Sequence, residues 1–234
     1  DHQPEAALDA VAELNASGTR HIHALKWAMK ANQQARNWPE VLRLVRSLDK
    51  HKALHPALSS RLRELAYDAL LTDGSHDAES IKRVWATVPA AERVKPYIAA
   101  HAAHALNARG LHDEARITAE ESLKVEWDDR VVRAYREAAG APGSPTLLAQ
   151  IEHCEEWIRQ RPNDAELALT LGALCLKQKL WGKAQRYLEQ ALSDATEGRM
   201  VREAHLKLAQ MHEALGQDEQ AAAHYRQCAL ASVL

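Results

Sequence analysis

The stretch LTLGALCLKQKLWGKAQRYLEQAL, Leu169 to Leu192, holds two short amphipathic runs separated by Lys179-Leu-Trp-Gly182. In the first run Leu171-Gly172 and Cys175 share a face. In the second, Ala184, Leu188 and Ala191 recur at spacings of four and three, which places them on one stripe of a helix. Small residues at Gly172 and Ala184 let two antiparallel helices approach closely, so the stretch predicts a helical hairpin.

The same second-helix triplet recurs along the chain. It is found at Ala7/Val11/Leu14, Val41/Val45/Leu48, Ile81/Trp85/Val88, Ala115/Ala119/Ser122, Gln150/Cys154/Trp157, Ala184/Leu188/Ala191 and Ala221/Tyr225/Cys228. The steps between first members are 34, 40, 34, 35, 34 and 37 residues. A period of about 34 is that of the tetratricopeptide repeat, each unit being a pair of antiparallel helices. The longer steps place loop insertions near Asp73 to His76 and near Thr196 to Arg199.

The expected fold class is therefore all-α, a right-handed superhelix of tetratricopeptide-like hairpins forming a single domain over residues 1–234. A leading half-repeat is expected at 4–17 and about six hairpins at 20–232. First helices are expected at His21 to Arg36, Ala57 to Thr72, Glu92 to Arg109, Asp128 to Ala139, Asp164 to Lys179 and Arg199 to Leu215. Gly110 and Gly216 fall at hairpin turns, and Asn163-Asp164 and Asp128-Asp129 suit helix starts. The run Gly140-Ala-Pro-Gly-Ser-Pro145 falls where a hairpin turn is due and reads as an elaborated turn. A solenoid needs covered ends, so a neighbouring segment or partner is expected over the N-terminal face.

Composition agrees with this fold and excludes several functions. At 46% apolar and 26% charged residues the 234-residue chain has ordinary globular composition. A net charge of −2 lacks the basic footprint of a nucleic-acid binder. No apolar run is long enough to span a bilayer. Cys154, Cys175 and Cys228 form no CxxC motif, and burial as small hydrophobes is their expected role. No HExxH occurs among the thirteen histidines, and no GxGxxG is present, so neither a hydrolytic zinc site nor a dinucleotide fold is written here. Trp38, Trp85, Trp157 and Trp181 fall at turns or triplet positions, where their area fills gaps between helices.

The second half of the chain resembles the C-terminal region of the HemY family, bacterial proteins associated with haem biosynthesis. The resemblance is carried by Glu126-Trp-Asp-Asp-Arg-Val-Val132, Pro145-Thr-Leu-Leu148, Arg161-Pro-Asn-Asp164, Leu171-Gly172, Leu180-Trp181 and Ala204 to Tyr225 with its His-Glu-Ala-Leu-Gly run. In the first half Trp27, Asn37-Trp-Pro-Glu40 and Trp85 match the family's tryptophan positions. The resemblance implies a tetratricopeptide domain tethered to the bacterial inner membrane by hydrophobic helices N-terminal to it; the unpaired cysteines favour a reducing compartment, and so the cytoplasmic over the periplasmic side.

In such a repeat the first helices line the concave face. Setting Ala115 equivalent to Ala184 puts Ala102, Ala103 and Leu106 on the seam and tilts Tyr97, His101, His104 and Asn107 toward the groove. The same register gives His23, Lys26, Trp27, Lys30 and Gln33 in the first full repeat, then Arg63 and Tyr67. Cations, imidazoles and aromatics on a concave strip suit acidic or C-terminal peptide segments. The expected function is thus a non-catalytic scaffold for protein partners, among them haem-biosynthetic enzymes, with no catalytic residues, cofactor or metal. The alternatives are a haem or porphyrin carrier using His101 or His104, or a general adaptor unrelated to haem.

Overall fold

The computed structural model describes residues 22–231, which are helical throughout with short connections and no strand. The leading half-repeat at 4–17 lies outside the described residues. The helices divide into two compact units between Arg93 and Val94.

The first unit contains α1 (Ile22–Gln34), α2 (Trp38–Lys50), α3 (Pro56–Thr72), α4 (Ala78–Thr87) and the single turn α5 (Ala90–Arg93). Here α1 packs on α2, α2 on α3 and α3 on α4. Val41, Leu44, Val45 and Leu48 of α2 meet Ala28, Met29 and Leu62 in an apolar core that Trp38 flanks. Two ends are set by local chemistry: Asp77 accepts from the Ser80 amide at the start of α4, and Pro56 supplies a preset φ at the start of α3.

The second unit contains α6 (Pro96–Asn107), α7 (His112–Val125), α8 (Asp129–Glu137), α9 (Pro145–Gln160), α10 (Ala165–Lys177), α11 (Trp181–Asp194), α12 (Gly198–Ala214) and α13 (Asp218–Leu230). Three hairpins, α6/α7, α10/α11 and α12/α13, pack as expected, and each first helix also packs on the next: α6 on α8, α8 on α10, α10 on α12. The triplet positions explain the core. Ala115, Ala119 and Ser122 are buried, as are Ala184, Leu188 and Ala191, and Gln150 and Cys154. In the last hairpin Ala221 is buried while Tyr225 is 38% exposed, so the final triplet is covered at one position only.

Two features depart from the expected boundaries. The first helix expected from Glu92 begins at Pro96, because proline lacks the donor and clashes with the preceding turn; the segment before it closes as the separate turn α5. The pair α8/α9 shares an apolar core of Val131, Val132, Tyr135, Leu147, Ile151 and Cys154, to which Gln150 adds polar contacts: it accepts from the Gly140 amide at 2.7 Å and donates to the Tyr135 carbonyl at 3.4 Å. The elaborated turn is thus tied down from within the hairpin it connects.

Four of the hairpin turns share one backbone device. Arg36, Gly110, Lys179 and Gly216 all have positive φ, and each lies five positions ahead of its triplet. At two of them the left-handed residue carries a side chain, which costs about 1–2 kcal/mol against the right-handed region. Lys179→Gly is therefore expected to raise stability by about 0.5–1 kcal/mol after glycine's larger entropy loss. Thermal unfolding of the variant checks this, and a lowered midpoint would refute it.

Candidate functional site

In the first unit α1 buries Ala28, Met29, Ala31 and Asn32, which leaves His23, Lys26 and Lys30 exposed and Gln33 half-buried. Trp27 is 67% exposed, with the Lys30 ammonium 5.9 Å from its ring centroid. Arg63 is engaged with Asp49, with Ser59 at 2.9 Å and with Glu92 at 2.7 Å. Tyr67 is 1% exposed and fills the interior of this unit. Its assignment to a groove is corrected: at that position the large side chain points into the core, and burial pushes its phenol pKa up.

In the second unit the expected residues of α6 do meet the next first helix. His104 Nδ1 lies 2.6 Å from Glu137 Oε2, and Asn107 donates to the Glu137 carbonyl at 3.2 Å. Tyr97 stacks on His101 at 4.4 Å, with the Arg130 guanidinium 5.8 Å from the tyrosine ring. Both histidines are half-buried and engaged with neighbours.

The most highly charged part of this face lies one repeat further on, among α8, α10 and α12. Glu166 has a fully buried side chain and accepts from Arg136 Nη1 and Arg199 Nη2, each at 2.6 Å, with Arg133 Nη2 at 3.9 Å. Arg136 also donates to Thr170 Oγ1 at 2.9 Å and to Glu203 at 3.1 Å. Burial works to raise the Glu166 pKa, but Arg136 and Arg199 together outweigh it and hold the carboxyl below its usual range. Three guanidiniums thus converge on two carboxylates, leaving Arg133 Nε and Arg199 Nη1 as enclosed donors without an acceptor.

Beside this cluster is a cleft of about 370 Å³. Ala139, Ala173, Leu174 and Leu176 supply its apolar lining, and Arg136, Lys177, Lys207, Glu137 and Glu203 its charge. Lys177 donates to the Ala139 carbonyl at 3.0 Å, and partial burial, with Arg116 nearby, lowers its ammonium pKa. Glu137 accepts from His104 and Glu203 from Arg136, so each carboxylate already has a donor, while Lys177 and Lys207 add two ammonium groups to the lining.

These residues were within reach of the repeat register. The offset carrying Ala115 onto Ala184 carries Tyr97 and His101 onto Glu166 and Thr170. The offset from Ala184 to Ala221 carries these onto Glu203 and Lys207. Composition pointed instead to the histidines and aromatics of α1 and α6.

Cys154 and Cys175 are placed as core residues, whereas Cys228 is half-buried. Cys154 and Cys175 are fully buried; burial pushes the Cys175 thiol up to about 11 and the Cys154 thiol higher than its ordinary value. Among the described residues no cluster of three potential metal ligands is found, and no helix is long and apolar enough to cross a membrane.

No protein-family model matches the chain, and no curated protein matches it. Among solved structures it is similar to a mutant of MamA, at 16% identity and a TM-score of 0.40 over 74% of this chain and 99% of that one. MamA MSR-1 gives 16% and 0.41 over 72% and 96%. Human IFIT1, solved as a dimer with PPP-AAAA, gives 16% and 0.46 over 95% of this chain and 54% of that one. At this identity the likeness concerns helical architecture and leaves partner and activity open.

Proposed function

We propose that the chain is a non-catalytic scaffold whose second unit binds acidic peptide segments through the first-helix face of α8, α10 and α12. The observation that carries this is the cleft in which both carboxylates already accept from protein donors while Lys177 and Lys207 line it together with Ala139, Ala173, Leu174 and Leu176. A carboxylate on an extended segment would meet these ammonium groups in charge-assisted bonds, and an apolar neighbour would cover Ala173 and Leu176. A fluorescein-labelled peptide alternating glutamate and leucine is expected to bind in anisotropy titrations, more weakly as salt is raised. Lys177→Ala with Lys207→Ala should weaken binding about three- to tenfold. Equal loss from Lys26→Ala with Lys30→Ala in the first unit, or no loss from the cleft pair, would refute the site.

The HemY resemblance supports a finer reading, a bacterial inner-membrane-tethered scaffold near late haem biosynthesis, with this domain on the cytoplasmic side. Two of the runs that carry the resemblance meet in space: Trp127 donates to Asp164 at 2.8 Å, and Arg161 stacks 4.4 Å from the Trp127 ring. They are thus structural partners, which accounts for their occurring together. Cross-linking in cells followed by fractionation should recover the protein with the inner membrane and joined to a haem-biosynthetic enzyme; recovery without either would refute this reading. For the carrier alternative, haemin titration is expected to give no saturable Soret shift, since His104 is held by Glu137 and His101 by its stack on Tyr97.

A further inference from the structure

The last hairpin of the second unit is held differently from α10/α11. Among the described residues its second helix, α13, packs on α12, makes no extended contact with another helix, and has Ala221 as its one buried residue. In the equivalent hairpin α10/α11, by contrast, Ala184, Tyr187, Leu188 and Ala191 are all buried. Little apolar area therefore secures α13, and polar contacts must supply the rest.

Those contacts centre on three imidazoles. His205 and His212, seven residues apart, lie on one face of α12; His224 comes from α13. His205 Nδ1 and His224 Nδ1 are 2.9 Å apart, and the His212 ring lies parallel to that of His224 with centroids 5.4 Å apart and an interplanar angle of 5°. His212 Nδ1 meets Gln217 Oε1 at 2.6 Å; the amide oxygen only accepts, so this nitrogen carries its proton. By the repeat register His212 stands where Cys175 stands in the preceding hairpin, so an imidazole has replaced a small apolar group on the seam.

A bond between two Nδ1 atoms needs one of them unprotonated. Protonating both removes the bond and sets two cations side by side, with the third ring stacked against one of them. We propose that the His205–His212–His224 cluster is an acid-sensitive latch that holds α13 on α12 at neutral pH and releases it when the facing pair becomes protonated.

The surroundings favour the neutral form. Burial lowers the pKa of both His205 and His224, and for His224 the neighbouring His205 and His212 lower it further. From α11, Glu189 is the facing carboxylate and acts in the opposite sense on His224 without reversing the shift. On α12, Glu213 is bonded to the Tyr225 hydroxyl of α13 at 2.7 Å. Because the folded pKa values lie below those of the unfolded chain, the unfolded or released state binds more protons. Docking is thus fully stabilised above about pH 6.5 and weakens as pH falls toward the folded values.

Amide hydrogen exchange on the full chain tests the latch. Protection of residues 218–230, corrected for intrinsic exchange, should fall about tenfold or more between about pH 7.5 and about pH 5.5. Protection of α10 should hold over the same range. His205→Gln with His224→Gln should abolish the pH dependence. Wild-type protection that does not change with pH, or a double variant that keeps the dependence, would overturn the proposal. If the double variant leaves α13 unprotected at every pH, NMR titration of the wild-type rings decides: the midpoint of His205 and His224 must coincide with the loss of α13 protection, and separation of the two overturns the latch.

Discussion

Replacing Glu166 by glutamine is expected to destabilise the second unit by about 3–5 kcal/mol, the usual cost of removing one partner from a buried ion pair. Glutamine nearly matches the shape, so no cavity forms and the loss reports charge. Arg136, whose side chain is 6% exposed, and Arg199 would be left facing each other across a neutral amide, with Glu203 the remaining counter-charge. The buried Glu166 side chain makes this a large effect where a surface pair would give under about 1 kcal/mol. Pairing Glu166→Gln with Arg199→Met in a double-mutant cycle should return a coupling of at least about 1 kcal/mol. The pH dependence has a definite sign. Since the folded pKa of Glu166 is lowered, its contribution is complete above about pH 4.3 and is lost as pH falls through the folded value. The variant should lack that part of the acid sensitivity. Urea unfolding followed through tryptophan fluorescence measures both, and a cost below about 1 kcal/mol would show that the cluster is not held by its central carboxylate.

The second large effect is at Gly172. A Cβ there would lie 2.6 Å from both Cγ and Cδ2 of Leu188 and 3.1 Å from the Leu188 amide nitrogen. Helix propensity alone favours alanine over glycine by about 0.5–1 kcal/mol. Overpacking of a closed seam costs about 1–3 kcal/mol, so Gly172→Ala should be destabilising overall despite its better helix propensity. Leu188→Ala alone should cost about 2–5 kcal/mol by leaving a cavity. Combined with it, Gly172→Ala should change sign and become neutral or stabilising, because the clashing atoms are gone. Thermal unfolding separates the outcomes, each kcal/mol moving the midpoint by about 2–4 °C in a protein of this size. An equal cost of Gly172→Ala in both backgrounds would refute the close-approach account.

Much of the architecture was legible because it follows from local rules. The triplet positions Val41, Ile81, Ala115, Gln150, Ala184 and Ala221 are all buried, as a fixed helical stripe requires. Helix boundaries were read less well where one residue overrode the pattern: Pro96 delayed α6, and Arg36 and Lys179 adopt the left-handed turn conformation that glycine marks at Gly110 and Gly216. A left-handed lysine leaves no sequence signal, since tertiary packing of the hairpin, not the residue, imposes that φ.

The candidate site was legible in register but not in chemistry. Periodicity alone determined that Glu166, Thr170, Glu203 and Lys207 share a face with Tyr97 and His101. Which of these charges cancel was decided by tertiary structure, because pairing depends on side chains from α8, α10 and α12 that are 30 to 67 residues apart in the chain. The same holds for the histidines: thirteen imidazoles are counted in the sequence, and packing of α13 on α12 brings three of them together. Repetition and turn chemistry act over a few residues and can be read directly. Charge compensation and imidazole pairing depend on distances between helices, and those exist only once the helices are packed.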